Sequence, residues 1–552
     1  MQTNKTLRWI TGPLAVCSGL IAGCGGSDAP PQRVAGTTTV AGTAAEVAAA
    51  CSAMASRSVL NGSITSASIV AAGQVVDGAT LPEHCKVNAL LEPRTGVDGV
   101  RYGTNFELRL PTRWNERFFF QGQGGSGGSV AAAYGTQQPV GQPPALSMGF
   151  AVVSFDGGHQ GSAVTFGLDP KAKRDFAYNS MDIVTVAAKQ LVQDYYKKPP
   201  VFSYAAGCSN GGRQVMNLSQ RFPTYYDGIL AGAATHRLSA GFVESAWGIQ
   251  AVNETAPANE RGERIHANAF SEADLALVSA DLLAVLDGRD GLVDGVVSNT
   301  NASVFENYDP GRLQCSGAKT PSCLTAQQVA GLRKLHSGAR NSAGQKLYGS
   351  WSWDPGISGS QWRQWKLGTS QTGVPNSIRA AFADAQIGYL YLEPAEPGFK
   401  ALQMDFDKDP PRMARTGPEM DANNPDLSRF AANGGKIMWY HGMIDVSSPA
   451  SEIVDYYLRM AQATRGYDAA DFARVFLVPG LGHCGGGPGL GNFPALPALM
   501  DWVEKNQAPD RMIATGPTVP GRSRPLCAWP RWPRYAGSGD INNAANFVCV
   551  QE

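Results

Sequence analysis

Residues 201–212 read VFSYAAGCSNGG and are the most informative stretch of this chain for its fold. The apolar run at 201–206 predicts a strand, and residues 213–221 predict a helix, with a glycine turn between them. Residues 207–211 match the pattern G-x-S-x-G, in which flanking glycines permit a turn sharp enough to raise the serine hydroxyl above a sheet. In a chain with 64 glycines the pattern alone also fits an ordinary turn, so its position between strand and helix carries the prediction.

Strands and helices alternate on both sides of this turn. Such alternation predicts a parallel sheet covered by helices on both faces, which is an α/β fold. Predicted strands occupy residues 106–110, 118–121, 150–155, 201–206, 436–440 and 475–478, and predicted helices occupy residues 181–196, 213–221, 450–463 and 496–505.

The alternation is interrupted between about residues 237 and 425, where Trp, Pro and Gly are frequent. We therefore expect an α/β-hydrolase fold formed by residues 45–236 and 426–552, with residues 237–425 inserted as a lid. Binding sites of open α/β sheets lie at the carboxyl ends of the strands, so the lid is expected to cover that edge.

The N-terminus carries an export signal. Lys5 and Arg8 precede a mainly apolar run at residues 9–21 that is too short to span a bilayer. The run ends in Ile-Ala-Gly-Cys at residues 21–24, which resembles a lipoprotein cleavage box. We expect residues 1–23 to be removed and residues 24–44 to form a flexible tether, with Cys24 lipidated on an outer-membrane lipoprotein. A plain secretion signal, which would make the protein periplasmic or secreted, is the alternative.

The overall charge excludes a polyanionic partner. Lys plus Arg and Asp plus Glu each number 46, and no basic stripe indicates nucleic-acid binding. Nothing indicates an organic cofactor, and a monomer is expected. Any membrane contact is expected only through the N-terminal lipid.

Cysteine usage agrees with export. Without Cys17 and Cys24, eight cysteines remain, and an even number in an exported chain indicates disulfides. Zinc ligation is the rival interpretation, but no CxxC pair exists. The spacing predicts the pairs Cys51–Cys85, Cys315–Cys323 and Cys527–Cys549 and leaves Cys208 for Cys484.

A serine nucleophile needs a base, and a base needs an acid to orient it. In α/β-hydrolases the order along the chain is Ser, then Asp or Glu, then His. That order excludes the two histidines before Ser209, and three more lie at or in the expected lid. His441 and His483 remain among the seven histidines, each just after a predicted strand. We predict Ser209 as nucleophile, His483 as base and Asp445 as acid, with His441 in a structural or substrate-pocket role.

The arrangement Cys-Ser, Asp, His-Cys resembles that of the tannase and feruloyl esterase family. The resemblance extends over residues 51–549, and further segments that carry it are LPEHC at 81–85, FGLDP at 166–170, SQRFP at 219–223 and GSGDIN at 537–542. It implies hydrolysis of small esters of aromatic acids, of the feruloyl, galloyl or terephthalate-monoester type. It also implies an oxyanion hole formed by the backbone N–H groups of Asn210 and Gln123.

An acidic loop at residues 287–296 predicts a metal site in the lid. It reads DGRDGLVDGV, and closely spaced aspartates with backbone carbonyls suit Ca²⁺, although no EF-hand spacing is present. The alternative is a solvated acidic turn. The family resemblance implies a structural calcium ion, and the implied ligands are Asp287, Asp290, Asp294 and the carbonyls of Leu292 and Val296.

The resemblance also implies a substrate pocket in the lid. Arg379 aligns with a residue that grips a substrate carboxylate, but the following chain departs from the pattern, so a surface arginine is the alternative. Trp365 and Phe382 are predicted as aromatic walls. A peptidase or lactonase, a catalytically silent binding lipoprotein and a calcium-dependent adhesion module are the rival functions.

Overall fold

The computed structural model describes residues 33–136, 142–301 and 305–551. One compact unit begins at Ala35. The predicted signal at residues 1–23 and the first part of the tether lie outside the described residues. No helix in the described part of the chain is long and apolar enough to cross a bilayer.

The strands include all the predicted ones, with further strands on the N-terminal side, at residues 228–232 and at the C-terminal end. They are β1 (Thr38–Thr39), β2 (Gly62–Val70), β3 (Val75–Val76), β4 (Ala79–Thr80), β5 (His84–Thr95), β6 (Arg101–Pro111), β7 (Arg113–Trp114), β8 (Arg117–Gln121), β9 (Ala151–Phe155), β10 (Phe202–Cys208), β11 (Gly228–Gly232), β12 (Lys436–Gly442), β13 (Ala473–Val478), β14 (Arg511–Thr515), β15 (Ser523–Cys527), β16 (Trp532–Tyr535) and β17 (Phe547–Val550).

Nine of these strands form the central sheet, in the order β13-β12-β11-β10-β8-β9-β6-β5-β2. The six strands from β13 to β9 run parallel, as predicted. The sheet is mixed, because at its other edge β6, β5 and β2 pair antiparallel. A short turn at residues 96–100 joins β5 to β6, and so short a connection permits only an antiparallel pair.

All four predicted helices form. In the described residues outside the expected lid, the α-helices are Ala44–Ser52, Pro170–Arg174, Ser180–Tyr196, Asn210–Arg221, Ser428–Ala432, Ala450–Ala463, Ala469–Phe472 and Ala495–Lys505. Residues 237–425, which the sequence predicts to be an inserted segment, contain Leu238–Thr255, Glu272–Leu286, Ala326–His336, Ser360–Lys366, Ile378–Gln386, Asp409–Met413 and Gly417–Met420.

Alternate residues of the parallel strands enter two different cores. Phe118 and Phe120 of β8 join the cluster that contains Val184 of Ser180–Tyr196. Phe119 joins the cluster on the opposite face, with Leu499 of Ala495–Lys505. Because strand side chains alternate, both faces of the sheet are covered, which explains why these strands read as continuous apolar runs.

Candidate active site

The carboxyl ends of the parallel strands collect the predicted catalytic residues at one edge of the sheet. Ser209 directly follows β10, and Asp445 follows β12 by three residues. His483 lies in the glycine loop after β13. Parallel strands end at the same edge, so residues 274 apart along the chain meet there.

Ser209 occupies a strained turn. Its φ of 63° and ψ of −125° lie in a region that side-chain-bearing residues rarely adopt. The turn has no room for side chains at its flanks, since a Cβ on Gly207 would lie 2.5 Å from the Gly211 carbonyl carbon. A Cβ on Gly211 would lie 3.0 Å from the carbonyl carbon of Gly122. The glycines of the motif are therefore required by the close approach of three backbone segments.

A continuous hydrogen-bonded chain joins the three predicted triad residues. His483 Nε2 lies 2.8 Å from Ser209 Oγ. Its Nδ1 lies 2.9 and 3.0 Å from the two carboxylate oxygens of Asp445. This geometry suits an imidazole that takes a proton from the hydroxyl while the carboxylate holds its tautomer.

The loop after β12 keeps Asp445 ionised. Burial raises the pKa of its carboxyl, but His483, His441 and the backbone N–H of Ser447 together hold that pKa below its usual range. His441 is fully buried, with Nε2 2.8 Å from the Ser448 carbonyl and 3.6 Å from an Asp445 oxygen. It lies behind the acid and does not line the cleft, so its position fits the structural alternative.

All four predicted disulfides are present: Cys51–Cys85, Cys208–Cys484, Cys315–Cys323 and Cys527–Cys549. The second pair joins the residue before Ser209 to the residue after His483, across a sequence separation of 276. It therefore links nucleophile and base loops covalently.

One of the two predicted oxyanion donors is engaged elsewhere. Asn210 begins its helix, so its N–H is one of the unpaired groups at a helix N-terminus, and the residue lines the cleft. The Gln123 N–H instead donates to Gln214 Oε1 at 2.9 Å, so the prediction of Gln123 as the second donor is wrong for this arrangement. The neighbouring Gly124 borders the cleft beside Ser209, and its N–H forms no hydrogen bond within the described residues.

The cleft beside Ser209 has an outer part of about 420 Å³ and an inner part of about 80 Å³. Trp365 and Phe382 border both parts, as the predicted aromatic walls should. The inner part is mainly apolar, and its other apolar side chains are Phe176, Leu238, Phe242, Tyr348 and Ile378.

Three buried polar atoms at the inner pocket have no hydrogen-bond partner within the described residues. They are Asn210 Nδ2, Thr235 Oγ1 and Gln386 Oε1. Unpaired buried polar atoms are rare in folded proteins, so three at one pocket call for an explanation. An aromatic ring that carries polar substituents fits such a pocket.

Arg379 lines the inner pocket but its donors face protein acceptors. Its Nη2 donates to the carbonyls of Ser447 at 2.6 Å and Val446 at 3.1 Å. Its Nη1 donates to the Gly241 carbonyl at 3.2 Å and to Ser245 Oγ. A substrate carboxylate could bind Arg379 only by replacing these bonds. In this arrangement Arg379 therefore has no free N–H for the carboxylate that the sequence predicts it to bind.

The acidic lid loop has the donor chemistry of a calcium site. Burial and the neighbouring Asp294 and Asp287 raise the pKa of Asp290 to about 7. A bound cation would lower that pKa again by stabilising the ionised carboxylate. At present Asp287 accepts from the Gly295 N–H at 2.9 Å, and Arg524 contacts Asp294. In the described ranges no group of three acidic, His or Cys side chains is already arranged around a metal. All candidate donors are oxygens, which suits Ca²⁺, and the calcium site stays a prediction.

Two glutamines near the triad were not predicted. Gln214, on the helix after Ser209, accepts the Gln123 N–H. Gln361, in the inserted segment, contacts the backbone of His483. Neither lies in a motif, and both contacts join residues about a hundred positions apart, so no local pattern indicates them.

Comparison with known proteins agrees with this architecture. The family model described as "Tannase and feruloyl esterase" matches residues 85–550. The chain is 40% identical to a mono(2-hydroxyethyl) terephthalate hydrolase of Piscinibacter sakaiensis, over 87% of each chain. It is 31% identical to a probable feruloyl esterase of Arthroderma benhamiae, over 86% of this chain and 87% of the relative.

Solved structures show the same fold. Feruloyl esterase B from Aspergillus oryzae superposes with a TM-score of 0.76 at 24% identity, covering 91% of this chain and all of the other. Tannin acyl hydrolase from Aspergillus niger gives a TM-score of 0.69 at 22% identity, covering 92% and 95%. The family model covers most of the chain, and the relatives are named as carboxylic-ester hydrolases. The chain is therefore an ester hydrolase that belongs to the tannase and feruloyl esterase family.

Proposed function

We propose that this protein is an exported serine esterase that cleaves small esters of aromatic acids with Ser209, His483 and Asp445. The single observation that carries the proposal is the unbroken hydrogen-bonded chain from Asp445 through His483 to Ser209, at the mouth of a mainly apolar pocket. Export is supported by four disulfides, which form and persist in oxidising compartments.

The reaction proceeds by acyl transfer. His483 takes the proton of Ser209 Oγ as the oxygen attacks the ester carbonyl, and the resulting oxyanion accepts from the Asn210 N–H and a second N–H of the loop at residues 122–125. His483 then gives its proton to the leaving alcohol. Water, deprotonated by His483, releases the acid from the acyl-serine. Each backbone donor to an oxyanion contributes about 3–4 kcal/mol to the transition state.

The pocket favours an uncharged aromatic acyl group such as feruloyl or galloyl. Phenolic hydroxyls can pair with Gln386 Oε1, Thr235 Oγ1 and Asn210 Nδ2, which have no partner in the described part of the chain. Arg379, in contrast, has its donors bound to protein carbonyls and a serine. The alternative is a hydrolase of mono(2-hydroxyethyl) terephthalate, which the 40% identical relative supports.

Calcium belongs to the proposal as a structural ion only. Asp287, Asp290 and Asp294 would hold it with the carbonyls of Leu292 and Val296. Bound there, it would neutralise the buried carboxylates and order the acidic loop. The loop contributes no residue to either part of the cleft, so the ion takes no part in the chemistry.

The test is hydrolysis of methyl ferulate, methyl gallate, mono(2-hydroxyethyl) terephthalate and p-nitrophenyl acetate by the wild type and Ser209→Ala. Ser63→Ala serves as the matched control, because Ser63 is an exposed serine on the edge strand β2. Labelling with a fluorophosphonate probe measures the reactivity of Ser209 without relying on any ester.

Turnover and labelling that persist in Ser63→Ala and vanish in Ser209→Ala support the proposal. Preference for the terephthalate ester would favour the alternative substrate. Absence of both turnover and labelling in the wild type would refute the esterase proposal and favour a catalytically silent binding protein.

A further inference from the structure

Gln361 binds the backbone of the candidate base on both sides. Its Oε1 accepts from the His483 N–H at 2.8 Å, and its Nε2 donates to the His483 carbonyl at 3.4 Å. The carboxamide oxygen can only accept and its nitrogen can only donate, so the two bonds fix the orientation of the side chain. The amide acts as a two-point clamp on a single residue.

The loop that carries His483 needs such support. It contains glycines at positions 480, 482, 485, 486, 487 and 489, and glycine loses more conformational freedom on ordering than any other residue. Gly482 lies directly against the clamp, since a Cβ there would come within 2.2 Å of Gln361 Oε1. The missing side chain at Gly482 is what allows the amide to reach the backbone of His483.

The same helix also contacts the imidazole. Trp365, one turn after Gln361 on Ser360–Lys366, packs edge-on to the His483 ring with centroids 5.1 Å apart. Arg363 anchors the helix by donating to the carbonyls of Phe270 and Ala267 at 2.8 and 2.7 Å. A helix of the inserted segment thus contacts both the backbone and the ring of the base.

Just before this helix, Asp354 contacts an earlier residue of the same loop. Its Oδ2 accepts from the Gly480 N–H at 3.3 Å, and the carboxyl is fully buried. Inserted-segment side chains therefore hold the base loop at two points, Gly480 and His483.

We propose that Gln361 is a positioning residue, through which the inserted segment holds His483 in line with Ser209. The proposal rests on the proposed function of the triad. Gln361 does not line either part of the cleft, so its loss should lower kcat and leave KM unchanged. The role of the insertion then extends beyond covering the substrate to maintaining the geometry of proton transfer.

The first test compares Gln361→Met with Gln364→Met in the full-length protein. Methionine keeps the size and flexibility of glutamine but removes both hydrogen bonds, and Gln364 is an exposed glutamine on the same helix. Misplacement of a catalytic group by about 1 Å lowers rates by about 100-fold, so Gln361→Met is expected to lower kcat for p-nitrophenyl acetate about 10- to 100-fold. Fluorophosphonate labelling should slow by the same factor, KM should stay within about twofold, and Gln364→Met should behave as wild type.

The second test is Gln361→Glu, which separates positioning from folding. A protonated carboxyl reproduces both bonds of the amide, whereas an ionised one repels the His483 carbonyl. The ratio of its kcat to that of the wild type should therefore be near one at low pH and fall as the pH rises. The same ratio for Gln361→Met should not depend on pH.

Two results would overturn the proposal: a folded Gln361→Met with wild-type kcat and labelling rate, or an effect of the substitution on KM alone. If Gln361→Met does not fold, a pH-independent ratio for Gln361→Glu overturns it. A wild type that neither turns over esters nor reacts with the probe would refute the proposed function itself, and with it the inference.

Discussion

Removal of the Cys208–Cys484 disulfide should destabilise the protein far more than removal of a local one. In the loop-entropy relation, a bridge between cysteines 276 residues apart stabilises by about 5–6 kcal/mol. The same relation gives about 2–3 kcal/mol for Cys315–Cys323, whose cysteines are 8 residues apart. Because domains are stable by only about 5–15 kcal/mol, the long-range bridge is a large share of the total.

The assay is urea unfolding, followed by tryptophan fluorescence, of Cys208→Ala/Cys484→Ala and of Cys315→Ala/Cys323→Ala. The first double variant should lose about 3 kcal/mol more unfolding free energy than the second. Equal losses in the two variants, or a larger loss for the local pair, would refute the loop-entropy argument. The Cys208→Ala/Cys484→Ala variant should still react with the fluorophosphonate probe, since the hydrogen bonds of His483 to Ser209 and Asp445 do not involve the sulfurs.

Three further predictions concern a pocket residue, a metal and an ion pair. Arg379→Met removes the donors to the buried carbonyls of Val446 and Ser447, and each carbonyl left without a partner costs about 1–3 kcal/mol. The substitution should therefore lower the unfolding free energy. It should also reduce kcat/KM for all the panel esters to a similar extent. A loss confined to the terephthalate ester would contradict this. Chelation of calcium should lower the melting temperature. If free calcium stood at 100 times the Kd of the site before chelation, the unfolding free energy should fall by about 2.7 kcal/mol. Calcium but not magnesium should restore it, and Asp290→Asn should abolish the response; equal melting curves with chelator and with calcium would exclude a structural ion. Burial by itself raises the pKa of the Asp169 carboxyl, but the bidentate contact with Arg94 outweighs it and lowers that pKa from 3.8 to about 2. The stabilisation by this ion pair is therefore complete above about pH 4 and is lost as the pH falls through about 2. The difference in unfolding free energy between wild type and Asp169→Asn should shrink over that range. A difference that stays constant with pH would refute the assignment.

Much of the catalytic part is predictable because its information is local. The strand runs around residues 118–121, 150–155 and 201–206 are apolar because both faces of the sheet are covered, and composition alone records that. The elbow at Ser209 is recognisable because three backbone segments meet too closely for any residue but glycine at its flanks. The order of Ser209, Asp445 and His483 follows from the strand order of the fold.

The antiparallel edge and the second oxyanion donor were not predictable in the same way. β5 and β6 carry polar residues between their apolar ones, and their short connection and the antiparallel pairing of β6 with β9 fix the direction. The family resemblance implies the Gln123 N–H as an oxyanion donor, whereas its acceptor in the structure is a side chain 91 residues away.

The alternating elements, the elbow, the order of the triad and the four disulfide pairs are readable in the sequence, since each depends on local pattern or on count and spacing. Which groups are free to act becomes visible only in the folded chain: the donors of Arg379 are bound to protein acceptors, His441 lies behind Asp445, and Gln361 binds the backbone of His483. A side chain's role depends on which acceptors and donors surround it. Arg379 bonds to residues 446 and 447 and Gln361 to residue 483, so residues 237–425 meet distant parts of the chain in contacts that no local periodicity encodes.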